Sequence, residues 1–150
     1  MRALPMTLAA CALLLLILAA PSAAQAGWTD LGNGLAGVNG VPNLTNTFGA
    51  LSPVGNFGWE LNHCAPNSTA LLVAGASALN APFKGGLLVP FPDFIYFPGQ
   101  WTGPGGLFGF GAVWPAGIPA GVPMYFQYWV LDAAAPHGWS ASNAVTSTTV

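Results

Sequence analysis

The chain has 150 residues, of which 53% are hydrophobic and only 4% charged, with a formal net charge of −2. Its two bases, Arg2 and Lys84, leave no electrostatic footprint for phosphates, which argues against nucleic acid and anionic lipid as partners. Its two cysteines are Cys11, in an apolar N-terminal run, and Cys64.

The first segment reads MRALPMT, LAACALLLLILAA, PSAAQA: a short basic start, an apolar run from Leu8 to Ala20, and a small-residue end. That is the plan of a signal peptide, with Ala24-Gln25-Ala26 as the cleavage pattern and Gly27 as the first residue of the processed chain. A membrane span needs about 20 apolar residues, and this run has 13. Cys11 precedes most of the apolar run, which is the wrong place for a lipid-modified cysteine. The expected organisation is therefore a signal peptide over 1–26 and one domain over 27–150. Location is secreted or cell surface, with no integral membrane span after cleavage. Cys64 is then a single thiol that closes no internal bridge, so packing must hold the fold.

Beyond Gly27, Gly and Pro punctuate short apolar runs. Strands are predicted at Thr29–Leu31, Asn46–Leu51, Phe57–His63, Ala70–Ala76, Leu87–Val89, Phe94–Phe97, Gly106–Val113, Pro123–Leu131 and Asn143–Ser147. Short strands at this spacing predict an all-β fold: an antiparallel β-sandwich, immunoglobulin-like or jelly-roll-like, with about seven to nine strands and little helix. In FGWELNH, Phe57, Trp59, Leu61 and His63 share one side, and the other side is wet. In TALLVAGA both sides are apolar, which predicts a strand covered twice. PMYFQYWVL behaves alike: Met124, Phe126, Tyr128 and Val130 face one way, and Tyr125, Gln127, Trp129 and Leu131 the other.

Three motifs carry a resemblance: Gly40-Val41-Pro42-Asn43-Leu44, Gly85-Gly86-Leu87-Leu88-Val89-Pro90, and the aromatic strand closing on Asp132 and Ser142-Asn143-Ala144. With them the chain resembles an uncharacterised family of exported bacterial β-sandwich domains, often found at the C-terminal end of longer secreted proteins. The resemblance implies a sandwich and export, and no activity.

The supply of chemical groups is thin. Ser142, His137 and Asp132 contain the residue types of a catalytic triad, but nothing like a nucleophile elbow surrounds Ser142. His63 and Cys64 are adjacent, and alternation would send them to opposite faces of a strand. No cofactor is expected. The one weak metal arrangement is a structural calcium between Asp30-Leu31-Gly32-Asn33 and Asp132. The six tryptophans are the strongest hint of function. Trp101, Tyr125, Trp129 and Trp139 are the candidates for an exposed ligand-stacking platform, with Gln100, Gln127 or Asn143 as flanking hydrogen-bonding groups. The expected function is a non-catalytic exported domain with a structural or surface-interaction role. The alternative is a carbohydrate-binding module using its Trp and Tyr rings. Partners would be a cell-surface protein, a polysaccharide or a second copy.

Overall fold

The computed structural model describes residues 27–96 and 100–150. The segment expected to be a signal peptide, Cys11, and Phe97, the expected end of a strand, lie outside the described residues. Among those described, no helix is long and apolar enough to cross a membrane.

Among the described residues, strands are almost the only regular structure. In order come β1 (Thr29–Gly32), β2 (Asn43–Phe48), β3 (Asn56–Asn62), β4 (Ala70–Gly75), β5 (Ala78–Phe83) and β6 (Gly86–Pro90). There follow β7 (Phe94–Tyr96), β8 (Phe108–Val113), β9 (Pro123–Leu131), β10 (Trp139–Ala141) and β11 (Ala144–Thr148). One 3-10 turn, Pro136–Gly138, precedes β10. A main sheet runs β1-β11-β9-β4-β7, with β10 also pairing with β9. A second sheet is β2-β3-β8, and β5-β6 forms a separate hairpin. The pairings are antiparallel.

Two of these eleven strands, β5 and β10, are absent from the sequence prediction. β5 reads ALNAPF, a poor strand former with one Asn and one Pro and little burial. Its hairpin turns on Lys84-Gly85, both with positive φ (48° and 84°), a tight turn usually marked by Asn-Gly. β10 is three residues long and is defined by pairing with β9 and by a bridge from Ala141 to Leu35.

The alternation read from sequence sets the layers. Phe57, Trp59 and Leu61 from the second sheet pack against Leu72, Phe126 and Tyr128 from the main sheet, forming the main core. The opposite face of the main sheet carries Val73, Trp129 and Ala141. The β5-β6 hairpin lies over that face, where Phe83 meets Trp129 edge-on at 4.9 Å. So β4 and β9 are each covered twice, as their two apolar faces require. His63 departs from its expected side. Its φ of 59° ends β3 at Asn62, and the imidazole is exposed.

Candidate functional site

The quoted motifs converge on buried side-chain amides and one carboxylate. Gln127 is fully buried in β9. Its Oε1 accepts the Val89 N–H at 3.1 Å, and its Nε2 donates to the Leu87 carbonyl at 3.1 Å and the Ser142 carbonyl at 3.2 Å. A side-chain amide thus offers β6 the donor and acceptor that a neighbouring strand would offer. Asn143 does the same for β2, accepting the Leu44 N–H at 2.7 Å and donating to its carbonyl at 3.1 Å. Asp132 is buried and accepts N–H groups from Val38 and Ala134, at 2.8 and 3.0 Å. A Cβ at Gly37 would collide with the Asp132 carboxylate, so glycine there lets the loop close on it.

These contacts settle the roles of several residues. Gln127, Asn143 and Gln100 are buried and do not flank an exposed platform. The Ser142 hydroxyl accepts the Tyr128 N–H and donates to the Asn143 carbonyl, so the structure does not join it to His137. His137 is an exposed turn residue with φ of 53°. Among the described residues no three His, Cys, Asp or Glu side chains gather around one point, and the Asp132 oxygens serve backbone N–H groups. Cys64 is buried, and burial pushes its thiol up to about 12, with the Asp132 charge adding to the shift.

The four platform candidates separate by environment. Trp129 is 0% exposed, sealed by the hairpin, and offers no ring face to a ligand. Tyr125 is half-buried beside Gly75 and Thr146. Trp101 is 54% exposed, and Trp139 is half-buried.

Trp101 and Trp139 nevertheless share one row of the main sheet. Trp101 bridges Thr69, the Leu131 N–H bonds the Thr69 carbonyl at 3.0 Å, and Leu131 pairs with Trp139. Directly opposed residues point to the same face, so Trp101, Thr69, Leu131 and Trp139 line one side. Three strand spacings of about 4.8 Å separate the two tryptophan backbones by about 14 Å. The loop beneath Trp101 is fixed by the buried Thr102, whose hydroxyl donates to the Ala65 carbonyl at 2.6 Å and accepts the Ser68 N–H at 2.9 Å. Leu131 itself is exposed, which the pattern alone does not predict for a residue beside Trp129.

A second surface lies at the sheet edge. Among the described residues β7 pairs with β4 alone, and Phe94 and Ile95 are each 54% exposed there. Phe91 and Phe83 are also exposed. No signal singles these residues out in sequence, because an exposed edge strand and a core strand of three residues read alike. Comparison with known proteins finds no matching family model, no matching curated protein and no matching solved structure, so the family resemblance rests on the motifs themselves.

Proposed function

We propose that this is a non-catalytic exported domain that works through its surface, and that it associates with a second copy along the open β7 edge. The observation that carries this reading is the exposure of Phe94 and Ile95 on an edge strand that bears no charge. Such edges are ordinarily guarded by charged side chains, because their unpaired backbone groups template another strand. Asp93, next to β7, is tied to the end of β4 by accepting the Ala76 N–H at 2.9 Å, which leaves Phe94, Ile95 and Tyr96 as the uncharged stretch of the edge. The low charge of the whole chain favours contact between neutral apolar faces. Sedimentation velocity over a wide concentration range tests this. Association that rises with concentration, and is abolished by Ile95→Lys, is the expected result. A monomer at every concentration overturns it.

The row of Trp101, Thr69, Leu131 and Trp139 favours a second reading, a carbohydrate-binding face using two rings. Titration of tryptophan fluorescence with soluble polysaccharides tests it. A saturable change lost in Trp101→Ala supports that reading, and a flat response removes it.

A further inference from the structure

We infer that the space between the two sheets, on the side where β7 and β8 run as edges, is a binding site for a small, neutral, largely hydrocarbon molecule. The cavity there has a volume of about 480 Å³, within the roughly 300–1,000 Å³ typical of small-molecule sites. The cleft is partly open to solvent and its wall is mostly apolar, so a hydrocarbon that displaces water from it gains by burial. Its walls are Phe57, Trp59 and Phe110 from the second sheet, and Leu72, Tyr96 and Phe126 from the main sheet. Ile118, in the connection after β8, also lines it.

The wall chemistry selects the occupant. No charged residue lines the cavity, so an ionised head group would find no counter-charge inside. The Trp59 and Trp114 indole nitrogens, though in wall residues, are inaccessible and lack an acceptor among the described residues. They are shut in among rings: Trp59 meets Trp28 edge-on at 5.8 Å, and Trp114 meets Phe57 edge-on at 5.8 Å. The wall therefore presents mainly ring faces and methyl groups, with the Tyr96 phenol as its one polar side chain beside the indoles. A peptide segment is a poor fit, because its N–H and carbonyl groups would enter a space with almost no partners. A hydrocarbon carries no such cost and gains from burial.

The cavity shares Phe94 with the β7 surface, whereas Ile95 lies outside its lining, so Ile95→Lys should abolish association and leave ligand binding in place. The probe is N-phenyl-1-naphthylamine, a neutral aromatic dye whose emission rises in apolar surroundings, titrated into the purified protein. The expected result is saturable enhancement, displaced by 1-decanol and not by glucose. Ala112→Phe, which fills the cavity from β8, should weaken dye binding at least tenfold while near-UV circular dichroism is retained. Ile118→Trp fills the same space from outside the strands and serves if Ala112→Phe does not fold. Absence of saturable binding overturns the inference, as does equal binding by a folded filled variant.

Discussion

Replacing Gln127 with Met keeps its volume and removes its amide. Val89, 2% exposed, then has an N–H with no acceptor, and the Leu87 and Ser142 carbonyls lose their donor. The amide also reaches the Asn33 carbonyl at 3.3 Å, the longest of three contacts that share two N–H groups and so the weakest. A buried group left unpaired costs about 1–3 kcal/mol, and carbonyls with a second lone pair sit at the low end. The expected loss is about 3 kcal/mol. For a domain of this size 1 kcal/mol is worth about 4 °C, so the melting temperature should fall by about 12 °C. Thermal unfolding by circular dichroism gives the total. Native-state hydrogen exchange locates it, since the Val89 amide should exchange through opening of the hairpin rather than of the whole sandwich. A fall under about 3 °C, or a Val89 amide as protected as in the wild type, would refute the reasoning.

Other outcomes follow from the same structure. Asp132→Ala frees the Val38 and Ala134 N–H groups and should cost about 2 kcal/mol in urea unfolding. Trp129→Ala should cost about 4 kcal/mol because the ring is fully buried, whereas Trp101→Ala should stay within about 0.5 kcal/mol. A reversal of that order in melting curves would mean the hairpin does not seal Trp129. Stability should decline as pH rises from the ordinary Cys64 value of 9.0 toward about 12. Over that window the unfolded chain gives up the thiol proton and the folded chain keeps it, so the slope is negative. The Tyr128 phenol, pushed up mainly by burial, extends the decline above its ordinary 10.0. Its Gln100 neighbour opposes that rise and Tyr96 adds to it. Urea unfolding across this range checks the sign, and Cys64→Ala should flatten the first part. The native thiol should also resist an aromatic disulfide reagent at pH 8 until denaturant is added.

Much of the fold was legible because period-2 alternation is a local property. Phe57, Trp59 and Leu61 announced their shared face, and TALLVAG and PMYFQYWVL announced that each would be covered twice. What covers the second face was not legible. One arm of the hairpin, Leu87–Val89, reads as a strand, but its partner ALNAPF does not, and the amide that Gln127 offers β6 comes from 38 residues away. The platform residues show the same limit. Alternation put Tyr125, Trp129 and Leu131 on one face, but burial of Trp129 and exposure of Leu131 depend on where the hairpin ends.

By itself the sequence determined the strand periodicity and the scarcity of charge, because both are properties of neighbouring residues and their chemistry. Tertiary structure alone decided which aromatic rings are sealed, which motif residues bind backbone, and where the two sheets leave space between them. Those outcomes depend on contacts such as Asn143 with Leu44, 99 residues apart, which no local pattern encodes.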